Sequence, residues 1–267
     1  MRKGSLNIHD MKRKINYIIA TWGQRRKCPL KDYPYLAKHI EQLNKIKHEL
    51  CQVTVGRPEC PNELPYYTEC IENLKSLDDG TPVVVHEMPN TGVSYGQYSR
   101  IFDMYRDQFT HYIFMEDDYI PVEDNFDTTL AEMFDQMNCG YLCGLVFSDK
   151  KYRSNWGPHA GVSNGISSYE VLKAIWDIHG CLPHIGRQRQ EQIVFSQGFL
   201  KNGHTIEDYL HKYRTLYFQH TNSLRVYGDL HSKDIIIPIQ CLEKKEWKFK
   251  VVTSKGQSEM QIKNLFD

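Results

Sequence analysis

Between Ile15 and Tyr119 the chain alternates four times between short β-rich runs and segments with helical spacing, and this alternation limits the fold more than any other feature. The β-rich runs lie at 15–21, 52–55, 83–88 and 112–116. After the first of them, Leu36, Ile40, Leu43 and Ile46 recur at spacings of four, three and three, one apolar stripe of a helix over 35–50. Further helices are expected over 66–77 and 98–109, the first followed by the turn signal Asp78-Asp79-Gly80. Strand–helix–strand units close right-handed and build a mainly parallel sheet. The expected fold is therefore α/β and Rossmann-like, a mainly parallel central sheet flanked by helices, with a smaller C-terminal portion. Its strand ends would bring Thr21, Arg57, Asn90 and Glu116 to one edge.

The fourth run carries the chemistry. Tyr112-Ile113-Phe114-Met115 stops abruptly at Glu116-Asp117-Asp118, the pattern of a buried strand that delivers acids to its C-terminal end. In an open α/β sheet that edge is where ligands bind. Adjacent carboxylates repel unless a cation or strong donors compensate them, and hard oxygen ligands suit Mg²⁺ or Mn²⁺. The plainer alternative is a strand running into a solvated turn, with an acid capping the next helix. Beyond the acids, a helix is expected over 126–137 and a fifth strand over 141–147. A Gly-, Ser-, Asn- and Lys-rich loop follows over 148–165, then helices over 168–178 and 190–202. Short strands at 216–218 and 235–237 and a Lys-rich tail complete the reading. With no repeat or low-complexity linker, a single domain over 15–267 is expected behind a flexible basic tail, residues 1–14.

Composition narrows the partners. Lys plus Arg and Asp plus Glu each number 33, so the formal net charge is zero, which disfavours a chain built to hold long nucleic acid. No apolar run approaches the roughly 18–20 residues that cross a bilayer, so no integral membrane contact is expected. The basic N-terminus lacks the apolar core of a secretory signal. Eight cysteines without an export signal or paired C-x₂-C motifs read as free thiols in a reduced, cytoplasmic protein.

Four segments together resemble the GT-A fold of nucleotide-sugar-dependent glycosyltransferases. Ala20-Thr21-Trp22 with Arg25-Arg26 resembles that fold's opening strand and nucleotide loop. Residues 90–100, from Asn90-Thr91-Gly92 to Arg100, resemble its Asn-x-Gly loop and following helix. Glu116-Asp117-Asp118 resembles its D-x-D motif, and Phe218-Gln219-His220 its late Gln-His segment beside metal and diphosphate. The similarity runs from about Ile15 to Arg225. One departure is Gly56-Arg57-Pro58, which stands where many members end the second strand in an acid that contacts base or ribose.

The resemblance implies a metal-dependent transfer of sugar from a nucleotide-diphosphate donor, UDP-sugar favoured, to a hydroxyl of a glycan or glycoconjugate. Residues 15–120 would bind the donor and 121–267 the acceptor. The cofactor would be Mn²⁺ or Mg²⁺, with Asp118 as first ligand, Glu116 through water, His220 completing the shell and Asp117 on the ribose. Glu191 matches the place of the catalytic acid in inverting members, and Asp149 is the rival base. From the residues themselves, Arg25, Arg26, Arg57 and Arg100 are candidate phosphate or base contacts. Thr21 and Trp22 are candidates for base or ribose, although Trp22 equally fits core packing. Trp156 and His159 are candidates for an acceptor platform. The second reading is a sugar-phosphate nucleotidyltransferase, disfavoured by the lack of a Gly-rich, basic phosphate loop after the first strand. A third is a non-catalytic nucleotide-sugar binder.

Overall fold

The computed structural model describes residues 13–24, 34–121, 123–144, 146–147, 159–160, 164–184, 191–208, 218–220, 225–227, 246–253 and 256–263. In chain order the elements begin β1 (Ile15–Ala20), α1 (Tyr35–Leu43), β2 (Gln52–Pro58), α2 (Pro65–Asn73), β3 (Val83–Met88), α3 (Val93–Tyr105) and β4 (His111–Glu116). There follow β5 (Tyr119–Pro121), α4 (Phe126–Met137), β6 (Tyr141–Cys143), β7 (Val146–Phe147), β8 (His159–Ala160), β9 (Gly165–Ser168) and α5 (Tyr169–His179). The last are α6 (Glu191–Lys201), β10 (Ile206–Asp208), β11 (Phe218–His220), β12 (Arg225–Tyr227), β13 (Glu246–Thr253) and β14 (Gly256–Lys263).

The expected mainly parallel sheet is present, with seven strands in the order β10-β6-β9-β4-β1-β2-β3. Within it β9 runs against both its neighbours, β4 and β6, while the other pairings are parallel. β1 lies between β2 and β4, in register Ala20↔Gly56 on one side and Ala20↔Glu116 on the other. The chain leaves β1 toward β2 and β3, then returns to lay β4 on β1's opposite side. That reversal is the topological switch point at which open α/β sheets bind ligands.

Two apolar layers clamp the sheet. Alternate β4 residues Ile113 and Met115 join Ile15, Tyr17 and Ile19 of β1 against α1, α2 and α4. Tyr112 and Phe114 face the other way, among Tyr98 and Phe102 of α3 and Phe195 and Phe199 of α6. Phe114 and Phe195 meet edge to face at 5.9 Å, and Tyr141 stacks on Phe199 at 5.1 Å. Each fully buried side chain of this size contributes about 1.5–3 kcal/mol.

Several boundaries differ from the sequence reading. α1 ends at Leu43 rather than near 50, because the chain must turn back to enter β2. The return is held from α4's side, where Lys47 N–H donates to Asp124 Oδ1 at 2.9 Å and Glu49 N–H to Asp127 Oδ2 at 2.7 Å. β2 continues through Gly56-Arg57-Pro58, which the sequence suggests as a stop. α3 starts at Val93, five residues before the expected 98. The expected strand over 141–147 is broken into β6 and β7, and β9 is an addition. The Lys-rich tail contains the antiparallel pair β13 and β14. Of the expected strand at 216–218 only Phe218 is described, as the first residue of β11, and 235–237 lies outside the described residues. Cys51, Cys60, Cys70, Cys139, Cys143 and Cys181 are free thiols, and among the described residues no helix is long and apolar enough to cross a membrane.

Candidate functional site

The C-terminal ends of β1 and β4 meet at the switch point, and their polar atoms are tied together there. Asp117 N–H donates to the Ala20 carbonyl at 3.0 Å, so the ladder runs one residue past β4. Trp22 N–H donates back to Asp117 Oδ2 at 3.2 Å. Asp117 and Asp118 are 2% and 5% exposed, so the acid run enters the protein rather than a solvated turn.

Strand alternation separates the acids. Glu116 follows the parity of Phe114 and accepts a short hydrogen bond from Ser94 Oγ, at the start of α3. Asp117 follows Met115 and faces the α1 side. There it lines a cleft with Trp22, Gly23, Tyr35, Tyr66 and Tyr67. The carboxylates thus address both faces of the edge.

Below the acids sits a histidine that the sequence reading passed over. His39 occupies α1's apolar stripe between Leu36 and Ile40 and is fully buried. Nδ1 donates to the Asp117 carbonyl at 3.3 Å, and Nε2 accepts from Tyr17 OH at 2.7 Å. Burial lowers its pKa to about 4, against the opposing pull of that carbonyl and of the nearby Asp118 carboxylate. The ring is neutral at physiological pH. Its position at i+3 from Leu36 was the available signal, a polar ring on an apolar stripe.

Thr21 and Trp22 stand at the tip of β1. Gln97 of α3 grips Thr21 by both backbone groups, accepting from its N–H and donating to its carbonyl, each at 3.0 Å. Thr21 Oγ1 donates to the Gly56 carbonyl at 2.6 Å, so Tyr67 OH donates to Thr21 at 2.5 Å. Burial is the main cause that raises the Tyr67 pKa, which suits a donor. Thr21 therefore joins β1, β2, α2 and α3 through its own atoms. Thr21→Val leaves the Gly56 carbonyl and Tyr67 OH unpaired in the interior, at an expected cost of about 2 kcal/mol in urea unfolding. Thr21→Ser, which keeps the hydroxyl, should lose less than half as much.

Arg57 and Arg100 are both engaged within the chain. Arg57 forms a fork on Glu63, at 3.1 and 2.6 Å, and reaches Glu87 at 3.0 Å. The hydrogen bonds it donates to Glu63 are the chief cause that raises its pKa. Arg100 donates to the Thr91 carbonyl at 3.0 Å and to Thr91 Oγ1, bracing the exposed loop that carries Asn90. That loop is tight: Gly92 has φ +79° and Val93, a β-branched residue, φ +49°. Such a backbone costs about 1–3 kcal/mol and persists where the surroundings impose it. A second unforeseen histidine lies over this loop. The segment before it is pinned by Leu182 N–H donating to Ser99 Oγ at 3.0 Å. His184 Nδ1 donates to the Leu182 carbonyl at 2.9 Å, and Cδ2 would lie 2.5 Å from a Cβ placed on Gly92. The Gly and Pro residues around it gave no helical or strand period to mark it.

The later candidates are placed by backbone. β11 pairs antiparallel with β5, with His220 opposite Tyr119 and so one residue from Asp118. Glu191 is the first residue of α6, and His159 pairs with Phe147 in β7–β8. Arg25, Arg26, Asp149 and Trp156 lie outside the described residues.

Among the described residues no group of three or more His, Cys, Asp or Glu side chains forms a cage for a metal. Mg²⁺ is usually held by one or two carboxylates together with substrate phosphates. Adjacent buried carboxylates at an open sheet edge fit that mode, and their hard oxygens suit Mg²⁺ or Mn²⁺.

No family model and no curated protein matches the chain. Among solved structures it is similar to HddC from Yersinia pseudotuberculosis, with 13% identity and a TM-score of 0.47 over 78% of this chain and 94% of that one. It is also similar to CMP:2-keto-3-deoxy-manno-octonic acid synthetase complexed with CTP, with 12% identity and a TM-score of 0.47 over 74% of this chain and 89% of that one. A third is the glycosyltransferase GlyE from Streptococcus pneumoniae, with 7% identity and a TM-score of 0.42 over 76% of this chain and 46% of that one. Likeness at this level describes chain path and carries no statement about activity.

Proposed function

We propose that the chain is a metal-assisted transferase with a nucleotide sugar in its site, as donor in glycosyl transfer or as product in nucleotidyl transfer. The observation that carries this reading is the junction of Asp117 with Trp22 at the switch point, beside the aromatic cleft. Stacking surfaces and a carboxylate able to accept from ribose hydroxyls suit a nucleoside. Its phosphates would then lie over the acids, where a divalent cation would neutralise charge on the leaving diphosphate. Asp118 and Glu116 are the proposed carboxylate ligands, with His220 in reach by the pairing of β11. Arg25 and Arg26, on the segment after β1, are the proposed phosphate contacts. The exposed Asn90, close to the α3 start, is proposed on the sugar side.

In glycosyl transfer, a base takes the proton of the acceptor hydroxyl as that oxygen attacks the anomeric carbon and the bond to diphosphate breaks. Glu191 is proposed for this role with Asp149 as rival, and Trp156 and His159 for the acceptor platform. The motif resemblance favours this branch. The fold serves nucleotidyl transfer at least as well, since that reaction also needs a nucleoside cleft and acids at the switch point. It differs in using a nucleoside triphosphate and a sugar phosphate.

Thermal shift distinguishes the branches, because a ligand of the folded state raises its melting temperature by mass action. Stabilisation by one family of nucleotide-diphosphate sugars, lost in EDTA, is the result expected for glycosyl transfer. Stabilisation by a nucleoside triphosphate, followed by diphosphate release with a sugar phosphate, assigns nucleotidyl transfer. No shift with any nucleotide sinks both. Within the first branch, Glu191→Gln should keep donor binding and lose transfer by about 10²–10⁴-fold; normal transfer there, with loss in Asp149→Asn, moves the base to Asp149.

A further inference from the structure

We propose that His39 is a positioning residue for the acid turn: by holding the Asp117 carbonyl it fixes the direction of the Asp118 carboxylate. This rests on the reading that the turn binds a divalent cation. Asp117 N–H is committed to the Ala20 carbonyl and Asp117 Oδ2 to Trp22 N–H. β1 thus holds the nitrogen and the carboxylate of Asp117, and its carbonyl is held from the other side, by α1. The His39 Nδ1–H reaches that carbonyl at 3.3 Å. Because Asp118 starts at the same peptide, a rotated carbonyl would swing its side chain off the edge.

The second ring nitrogen is satisfied separately. A backbone carbonyl only accepts, so Nδ1 carries the proton and Nε2 takes the Tyr17 OH proton at 2.7 Å. Tyr17 packs edge to face on Phe126 at 5.6 Å and is fully buried, which anchors the chain Tyr17–His39–Asp117 in the core. A polar ring on a helix stripe otherwise filled by Leu36, Ile40 and Leu43 is unfavourable for packing alone. Serving the acid turn gives it a purpose that a leucine could not fill.

The two contacts can be separated by substitution. His39→Asn places its amide nitrogen where Nδ1 stands, keeping the donor to Asp117 and losing Tyr17. His39→Gln places its amide near Nε2, keeping Tyr17 and losing Asp117. Each variant forfeits one buried hydrogen bond, so a purely structural role predicts that Mn²⁺ affinity follows melting temperature. Mn²⁺ alone is titrated against the full chain and followed by the loss of its free EPR signal, with melting in EDTA as the measure of folding. The expected result is affinity within about threefold of the parent for His39→Asn and at least about tenfold weaker for His39→Gln. Tyr17→Phe, which leaves the Asp117 contact in place, should keep its Mn²⁺ affinity even if it melts earlier.

Parent-like Mn²⁺ affinity in His39→Gln, or a tenfold loss in Tyr17→Phe, overturns the positioning role. If His39→Gln does not fold, His39→Asn decides: parent-like Mn²⁺ affinity despite earlier melting is expected, and an affinity that falls with melting temperature overturns the role. Parent protein that takes up no Mn²⁺, with or without UDP, overturns the metal reading and the positioning role with it. Uptake that survives Asp118→Asn overturns the assignment of Asp118 and the positioning role with it.

Discussion

Asp118→Asn should abolish metal-dependent donor binding while the protein still folds and melts cooperatively in EDTA. The substitution keeps the side chain's shape and removes one negative charge from a buried acid pair. Loss of a direct ligand should exceed the 10–100-fold that removal of an outer hydrogen-bond partner typically costs, so a loss of more than about 100-fold in Mn²⁺-dependent affinity is expected. Asp118 is 5% exposed and follows a second buried carboxylate. Asn fills the same volume and can still accept a hydrogen bond, hence the expectation that the fold is kept. Calorimetry with a nucleotide-diphosphate sugar, in Mn²⁺ and in EDTA, reads both terms. Parent-like metal dependence in the mutant would remove Asp118 from the site.

Gly96→Ala should be among the most damaging one-carbon changes near the edge. A Cβ there would fall on the Thr91 carbonyl oxygen, with the Thr91 carbonyl carbon 2.9 Å away. These are backbone atoms and cannot rotate aside. Gly96 N–H also donates to the Gly92 carbonyl at 2.7 Å, so the clash pushes on the left-handed Gly92–Val93 turn itself. A cost of about 3 kcal/mol, the upper part of the usual range for overpacking, is expected in urea unfolding. Because Ser94 follows that turn and donates to Glu116, donor affinity should fall as well. Met104→Ala, on the exposed side of the same helix at 47% exposure, should stay within about 0.5 kcal/mol. Equal stability of the two variants would mean that the close approach of Gly96 to Thr91 is wrong.

Local pattern carried the central half of the molecule. β1 and β4 were legible as β-rich runs buried almost throughout, β3 as a run of valines, and α4 by burial at helical spacing; the acid tip of β4 was legible because three carboxylates interrupt an apolar run. Other elements had no such mark. β9 is Gly-Ile-Ser-Ser, with no alternation and weak strand formers; it is a strand because β4 and β6 offer it two ladders. The start of α3 was misplaced because Gly92 and Val93 depart from ordinary backbone, and their geometry depends on packing by Arg100 and His184 from elsewhere in the chain. His39 was hidden by its surroundings, since an apolar stripe directs attention to the residues that fit it. Arg57 and Arg100 were legible as cations near the edge, but their carboxylate and carbonyl partners come from other segments and only the fold reveals them.

The division of Glu116 and Asp117 between the two faces of the sheet makes the length of the acid run meaningful. A strand assigns faces by odd and even position, so a frame error of one residue in β4 would exchange every side chain on the edge. With a single acid, such an error would carry the charge to the wrong side. With three in succession, a slip forward would bring Asp117 to the place of Glu116 and Asp118 to that of Asp117. Each face would still hold a carboxylate. The place of Asp118, the proposed ligand, would then fall to Tyr119, so the triplet keeps charge on both faces while tying the metal ligand to one register.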